Sequence, residues 1–175
     1  AANSYLWGIY YVANTFAMLD SEVLRNMIIQ NLKLDINTCY AFDPIYGKRQ
    51  GPLYSYNYYS LIGVVYTYLS VTGDTSILDE IIDGKPALKH LYEACLGFEN
   101  MEEEVDLLDY GGNHNLLELK RTENYTHVTP SPNGERVLTY KYLTDIYKVM
   151  GQKTPHDLII RAGVLKEKFI QELWN

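Results

Sequence analysis

Residues 51–74, GPLYSYNYYSLIGVVYTYLSVTGD, decide the fold of this chain. Over residues 57–71 apolar side chains recur at helical spacing, and the stretch LIGVVYTYL is apolar nearly all round. A polar loop precedes this segment. Gly73 follows it, at a position where a helix often ends in a left-handed residue. The pattern predicts a buried helix with a long loop before it and a tight turn after it.

Five other stretches show the same helical spacing, whereas strand signals are weak. They are residues 5–19, 21–34, 76–98 with a break near Asp83 and Gly84, 132–150 and 155–174. Residue types that are favoured at helix ends occur at several of the predicted boundaries. Asp20 or Ser21 can cap the second helix, Ser131 and Pro132 fit the start of the fifth, and Gly151 fits its end.

The connections between these helices alternate between short and long. Tight turns at residues 19–21, 72–75 and 151–154 each make an antiparallel helix pair. Residues 35–56 and 99–131 join the pairs and exceed the roughly 12–15 residues of an ordinary loop. The sequence therefore predicts an all-α fold of three antiparallel helical hairpins in one domain that spans the chain from residue 1 to residue 175.

If the hairpins lie side by side, the first helices of the three pairs run parallel. Their N-termini and both long loops then gather at one end of the domain. The first helices are also apolar nearly all round, whereas the last helix, in DLIIRAGVLKEKFIQELW, has a charged stripe. We therefore expect an inner layer of first helices, an outer layer of second helices and a functional site at the shared N-terminal end.

Composition and charge limit the classes of partner and ligand that we expect for this chain. The chain has 175 residues with 47% hydrophobic and 21% charged side chains, which is typical of a globular domain. Its net charge is -7, and its longest basic clusters are Lys48-Arg49 and Lys120-Arg121. Nucleic acids and anionic membranes need larger basic patches, so we expect neither as a partner and favour a neutral or cationic ligand.

Cysteines and histidines give no sign of a metal or another cofactor. Cys39 and Cys95 form no CxxC pair, and His114 and His127 lie in none of the usual zinc spacings. The start, AANSYLWG, has neither an initiator Met nor the regions of a signal peptide. We expect a processed product or a piece of a longer protein, and its compartment stays open.

The segment at residues 109–133, DYGGNHNLLELKRTENYTHVTPSPN, is more polar than packing between two helices requires. Glycoside hydrolysis needs two carboxylates, and Asp109 and Glu118 are the candidate catalytic residues of this segment. Candidate substrate-binding residues in the same segment are Asn113, Asn115, Tyr125, His127 and Asn133. The segment predicts a loop that contacts a polar ligand.

Tyrosine is unusually frequent, at 17 of 175 residues, and many tyrosines lie near the shared N-terminal end where we expect the functional site. Tyr54 and Tyr56, together with Trp7, could stack on sugar rings while their polar tips donate hydrogen bonds. Core packing with the hydroxyl at the surface is the alternative for any single tyrosine. We take Trp7, Tyr54 and Tyr56 as substrate-binding candidates.

Four segments of the chain resemble the (α/α)6-toroid glycosidases, most closely glycoside hydrolase family 63, the mannosylglycerate hydrolases and the glycogen-debranching-like enzymes. The segments are YLWGIYYVANTFAMLD at residues 5–20, residues 51–74, DYGGNHNLLEL at residues 109–119 and YTHVTPSPNGERVLTYKYLTDIYKVMG at residues 125–151. The resemblance implies inner and outer rings of helices, with a site for α-linked carbohydrate at the N-terminal ends of the inner helices. Three hairpins would be part of such a toroid.

The chain departs from this family at its catalytic positions. The family usually has Trp-Asp, with Asp as general acid, where this chain has Trp7-Gly8. The resemblance places the family's catalytic base in a later hairpin, beyond residue 175. The resemblance therefore implies that the chain alone is inactive as a glycoside hydrolase and binds sugar at positions of the cleft where no bond is cleaved. If it hydrolyses glycosides by itself, Glu118 and Asp109 are the candidate catalytic residues.

Two further expectations concern partners. Three hairpins leave apolar flanks, which we expect the remainder of a toroid or a second copy, in a homodimer, to cover. The alternative to a glycosidase is a non-catalytic α-helical repeat or scaffold that binds a protein or a sugar. The uneven spacing of the equivalent positions Tyr5, Asn57 and Pro132 argues against a regular repeat.

Overall fold

The computed structural model describes residues 4–51, 53–54, 56–97, 107–109 and 127–174. Within these ranges the helices are α1 (Leu6–Leu19), α2 (Ser21–Leu32), α3 (Tyr56–Thr72), α4 (Ala87–Leu96), α5 (Pro130–Val149) and α6 (His156–Lys168). A 3-10 helix covers Thr75–Asp79, and a π-helical turn covers Phe169–Leu173. The fold is all-α, as the sequence predicts.

Two very short antiparallel ladders accompany the helices. Strand β1 (Ala41–Phe42) pairs with β2 (Arg49–Gln50), and β3 (Ile81–Ile82) pairs with β4 (Lys85–Pro86). Ser4 forms a further antiparallel bridge with Phe42, which ties the start of the described chain to the first long loop. None of the helices that the structure describes combines the length and the hydropathy of a membrane-spanning segment.

The helix-end chemistry of the sequence is largely confirmed. The Asp20 side chain caps α2 by accepting a hydrogen bond from the backbone N-H of Val23 at 3.2 Å. Gly73 and Gly151 follow α3 and α5 with φ angles of 68° and 63°, in the left-handed region that glycine enters without a steric penalty. These local signals therefore determine the turns within the first and third hairpins and the end of α3.

The break predicted near Asp83 and Gly84 is confirmed, but the α-helix predicted for residues 76–82 before it is wrong, because Thr75–Asp79 is a 3-10 helix and Ile81–Ile82 is strand β3. Asp83 and Gly84 form the turn of the β3–β4 hairpin with φ angles of 48° and 81°, and α4 begins only at Ala87. Both turn residues need positive φ, which an Asp-Gly pair supplies readily. The Asp-Gly turn therefore accounts for the predicted break.

The predicted start of the fifth helix is also corrected. Helix α5 begins at Pro130, two residues before Pro132, and Thr129 is its N-cap, without a capping bond from its side chain. Pro130 fits the first helical position because its missing N-H would have no partner there. Ser131 lies inside the helix, where its hydroxyl donates to Oε1 of Glu135 at 2.9 Å.

Helix α3 lies at the centre of the domain, with α1 against one side and α5 against the other. One face of α3 carries Tyr59 and Gly63, which contact Tyr10 of α1, and Tyr66, which stacks on Tyr142 of α5. Other residues of α3 enter the core that α2 and α4 share with it. Helices α1, α3 and α5, the predicted inner helices, therefore form a row with α3 in the middle, and α2 and α4 pack against α3.

Two buried asparagines attach the long loops to the inner helices. Asn57, in the first turn of α3, donates from Nδ2 to the carbonyl oxygen of Cys39 at 2.8 Å. Asn133, in the first turn of α5, bonds to the backbone of Leu108. Both side chains are fully buried. A buried amide with backbone partners fixes loop position, since an unpaired one would cost free energy.

Candidate functional site

Ten aromatic rings form one continuous network along the inner helices and the loop that precedes α3, which we call the tyrosine cluster. Its members are Tyr5, Trp7, Tyr10, Tyr11, Tyr40, Tyr54, Tyr56, Tyr59, Tyr66 and Tyr142. Neighbouring ring centroids are between 4.2 Å and 6.3 Å apart. Five of the ten members belong to the first turns of α1 and α3 or to the residues just before them, and Tyr40 lies in the first long loop. The cluster therefore lies largely at the predicted site end.

Three hydroxyl groups, one from each inner helix, come together inside the cluster. The hydroxyls of Tyr10 and Tyr59 are 2.9 Å apart, and Tyr142 has hydrogen-bonding interactions with both. Burial raises the pKa of Tyr10 and of Tyr142 to about 12. The hydrogen bond with Tyr59 adds to the shift of Tyr10, and the hydrogen bond with Tyr10 adds to the shift of Tyr142. These phenols keep their protons at neutral pH and can act as hydrogen-bond donors.

Glu135 brings a carboxylate to the cluster. It is half-buried in the second turn of α5, and Ser131 donates a hydrogen bond to it. Burial raises the pKa of Tyr56, a hydrogen bond with Tyr11 raises it further, and the negative charge of Glu135 adds to the shift. Burial also raises the pKa of Tyr59, again with a contribution from Glu135. The carboxylate is therefore close enough to act electrostatically on two phenols of the cluster.

The cluster is open to solvent at some rings and closed at others. Tyr11 is 67% exposed, and Trp7 and Tyr56 are partly exposed. Tyr54 is only 8% exposed and stacks on Tyr56, with ring planes 14° apart. A ligand could reach Trp7, Tyr11 and Tyr56, whereas Tyr54 supports the Tyr56 ring from within the protein.

The second long loop has an ordered base beside the first turn of α5. Asp109 forms an antiparallel bridge with Val128, and its carboxylate lies 3.1 Å from Nδ1 of His127. The Asp109 side chain is 12% exposed, but that of His127 is 66% exposed. His127 has a φ angle of 58°, which is uncommon for a residue other than glycine and is enriched at functional positions.

Asn133 has a structural position at this loop base. Its Oδ1 accepts from the backbone N-H of Leu108 at 2.7 Å, and its Nδ2 donates to the carbonyl oxygens of Leu108 and Thr129. The side chain is fully buried and all of its polar atoms have backbone partners. In this conformation Asn133 anchors the loop and presents no atom to a ligand.

The residues selected from the sequence thus fall into three groups. Trp7, Tyr54 and Tyr56 belong to the tyrosine cluster, whereas Asp109, His127 and Asn133 form the loop base. Four candidates lie outside the described residues, namely Asn113, Asn115, Glu118 and Tyr125.

Three members of the site were not anticipated from the sequence. Tyr66 shares a face of α3 with Tyr56 and Tyr59, at offsets of ten and seven residues, so helical spacing could have indicated it. Tyr142 and Glu135 lie inside the predicted fifth helix, and only the packing of α5 on α3 brings them to the cluster. Their position depends on tertiary structure, which local sequence does not display.

In the part of the chain that the structure describes, no group of three or more His, Cys, Asp or Glu residues is placed to hold a metal ion. The chemistry available in this part is stacking on aromatic faces, hydrogen bonding by phenols, and proton or hydrogen-bond acceptance by Glu135, Asp109 and His127. No protein-family model and no curated protein matches this chain.

Proposed function

We propose that this chain is part of a glycoside-hydrolase-like domain and binds an α-linked carbohydrate at the tyrosine cluster. The observation that carries the proposal is the cluster itself, in which Trp7 and Tyr56 offer partly exposed rings and the carboxylate of Glu135 lies close enough to Tyr56 to act on its phenol. The resemblance of four segments to the toroid glycosidases supports the same ligand class.

Carbohydrate suits this surface for physical reasons. A sugar ring has apolar C-H faces that stack on aromatic rings, and equatorial hydroxyls that need hydrogen-bond donors and acceptors at its edge. The cluster offers aromatic faces at Trp7 and Tyr56, phenol donors that stay protonated, and Glu135 as an acceptor. Negative charge near the site disfavours anionic ligands, which agrees with the net charge of -7.

Tryptophan fluorescence can test the binding site directly. The chain has two tryptophans, so a Trp174→Phe background leaves Trp7 as the reporter. Titration with neutral α-linked oligosaccharides is expected to change the emission of Trp7. In calorimetry, Tyr56→Ala should weaken binding about tenfold, the effect of losing about 1.4 kcal/mol of stacking and hydrogen bonding.

Tyr46→Ala is the matched control, because Tyr46 is 74% exposed on the loop between β1 and β2 and lies outside the tyrosine cluster. It should bind sugar as the unsubstituted chain does. Equal losses in the Tyr46 and Tyr56 variants, or no response to any sugar, would reject the proposed site. A thermal shift with a peptide and none with sugars would favour a protein-binding scaffold instead.

The catalytic part of the proposal is separate from binding. If the chain hydrolyses glycosides by itself, we propose Asp109 and Glu118 as the carboxylates that act. A screen of aryl glycosides and α-linked disaccharides should then give turnover that Glu118→Gln and Asp109→Asn abolish. Turnover that survives both substitutions would reject the assignment. Absence of turnover together with sugar binding agrees with Gly8 at the family's acid position.

A further inference from the structure

The accessible rings of the tyrosine cluster are oriented at different angles. The rings of Trp7 and Tyr11 lie 5.7 Å apart with their planes at 81°, so the two planes are nearly perpendicular. Tyr56 extends this surface, because it forms a hydrogen bond with Tyr11. Trp7 and Tyr56 are partly exposed, and Tyr11 is exposed. A ligand that reaches the cluster therefore meets several aromatic rings at more than one angle.

Aromatic rings of this kind attract cations. The π-electrons make each ring face negative, and an ammonium group close to such a face is stabilised electrostatically. Several rings around one cation add their contributions, and proteins bind quaternary and methylated ammonium groups in this way. Tryptophan is the strongest of the aromatic residues in this interaction. The surface of Trp7, Tyr11 and Tyr56 therefore suits a ligand that carries an ammonium group.

The charges around the cluster have the sign that an ammonium ligand requires. Glu135 makes the potential at the phenol of Tyr56 more negative, as the raised pKa of this phenol reflects. Lys141 lies close to Tyr142 at the other end of the network, but it forms an ion pair with Asp145 at 2.8 Å. The field at the accessible rings therefore favours a positive charge on the ligand and disfavours a negative one.

We propose that the carbohydrate of the tyrosine cluster is an amino sugar, whose protonated amino group contacts the aromatic rings of Trp7, Tyr11 and Tyr56. The inference rests on the proposed function, because the sugar ring stacks on one aromatic ring of the cluster while its ammonium group contacts a neighbouring one. An amino group replaces a single hydroxyl and leaves the apolar C-H faces of the sugar intact. N-acetylation removes the charge and with it the electrostatic contribution.

Calorimetry with three matched disaccharides tests this inference. At the non-reducing end they carry an α-linked glucosamine, an α-linked glucose or an α-linked N-acetylglucosamine. At about pH 6 the amine is protonated, since it resembles an α-amino group with a pKa of about 8. The glucosamine disaccharide is expected to bind about tenfold more tightly than either of the other two. The preference should decrease as salt is added, because salt screens charges at a partly exposed site.

Two substitutions test where the preference arises. Glu135→Gln removes the negative charge and should reduce the ratio of glucosamine to glucose affinity to about twofold. Tyr11→Leu keeps an apolar side chain without an aromatic face, and it should lower the same ratio. Glu22→Gln is the matched control, because it removes one negative charge from an exposed position at the start of α2 and should leave the ratio unchanged. Circular dichroism checks that each variant is folded.

The outcomes separate this inference from the proposed function. Equal affinity for the three disaccharides would overturn the inference and leave the carbohydrate site in place. Absence of binding by all three would reject the proposed function, and the inference with it. A preference for the amino sugar that survives both Glu135→Gln and Tyr11→Leu would place the ammonium group elsewhere and would also overturn the inference.

Discussion

The ring of Tyr10 lies against Gly63, so closely that a Cβ atom at residue 63 would stand 2.6 Å from Cε2 of the ring. Glycine inside a helix costs about 0.5–1 kcal/mol relative to alanine. In α3 this cost permits the close contact of α1 with α3 and lets the Tyr10 hydroxyl reach Tyr59. The geometry of the tyrosine cluster therefore depends on a residue that has no side chain.

Gly63→Ala is expected to destabilise the chain by about 1–2 kcal/mol, because the overpacking penalty exceeds the gain in helix propensity. Gly163→Ala is the matched control, since a Cβ there meets no atom within 4 Å. It should stabilise α6 by about 0.5–1 kcal/mol. Urea unfolding of both variants checks the prediction, and equal stabilisation of the two would contradict it.

Gly8→Asp should be tolerated and stabilising, unlike Gly63→Ala. The nearest atom to a Cβ at residue 8 is Cβ of Tyr5 at 4.0 Å, so the new side chain has room. Replacing a helical glycine and placing a carboxylate in the first turn should together add about 1 kcal/mol. For a chain of this size the melting temperature should rise by about 2–4 °C. A lower melting temperature would show that the position is more crowded than its geometry indicates.

Tyr68 and Asp74 provide a prediction about pH. The Tyr68 hydroxyl donates to Asp74 at 2.6 Å, and hydrogen bonds from Ser76 and then from Tyr68 lower the pKa of Asp74. Because the folded-state pKa is the lower one, this stabilisation is complete above the unfolded pKa of about 3.9 and is lost as the pH falls through the folded value.

Tyr68→Phe should therefore reduce the free energy of unfolding by about 1–2 kcal/mol at neutral pH. The difference between the variant and the unsubstituted chain should shrink as the pH falls below about 4. Urea unfolding at several pH values measures it. Tyr46→Phe, at an exposed ring, is the control and should show little effect at any pH. A Tyr68→Phe deficit that stays constant into strong acid would argue against the bond to ionised Asp74.

The sequence predicts the helices well where the signals are local. Asp20 caps α2 through its own side chain, and Gly73 and Gly151 end helices by their own backbone freedom, so neither feature needs tertiary context. The break at Asp83 and Gly84 is predicted correctly, but the prediction of helix fails for residues 76–82, where helical spacing of apolar residues competes with the strand pairing that the Asp-Gly turn allows. A short window cannot weigh these two signals against each other.

The candidate site is harder to predict from the sequence than the fold, because it depends on how the helices pack. An asparagine in a polar segment indicates ligand binding, but Asn133 is buried and its side chain bonds to the backbone of Leu108 instead. Glu135 lies within a predicted helix and has no local signal of a functional role, yet its negative charge contributes to the raised pKa of Tyr56 and of Tyr59. In both cases the decisive partner is distant in sequence, so composition alone cannot assign the role.

Glu135→Gln should lower the pKa of the Tyr56 and Tyr59 phenols, because a nearby negative charge disfavours a tyrosinate. Carbon-13 labelling of tyrosine Cζ allows each phenol to be followed by NMR as the pH is raised. Glutamine keeps an oxygen that can accept the Ser131 hydroxyl, so the local fold should persist. Glu22→Gln, at the start of α2, is the control and should leave both values unchanged. Unchanged titration in the Glu135 variant would remove this residue from the site.

Asn133→Ala should loosen the base of the second loop and lower stability by about 1–3 kcal/mol. The substitution removes the acceptor for the Leu108 N-H and the donor for two carbonyl groups, and a buried polar group without a partner costs that much. Hydrogen exchange of the Leu108 amide should become faster, because its bond to Oδ1 is lost. Asn26→Ala, at an exposed position of α2, should change neither quantity. If the Leu108 amide stays protected in the Asn133 variant, the loop base is held by other contacts, and Asn133 becomes available again as a residue that contacts the ligand.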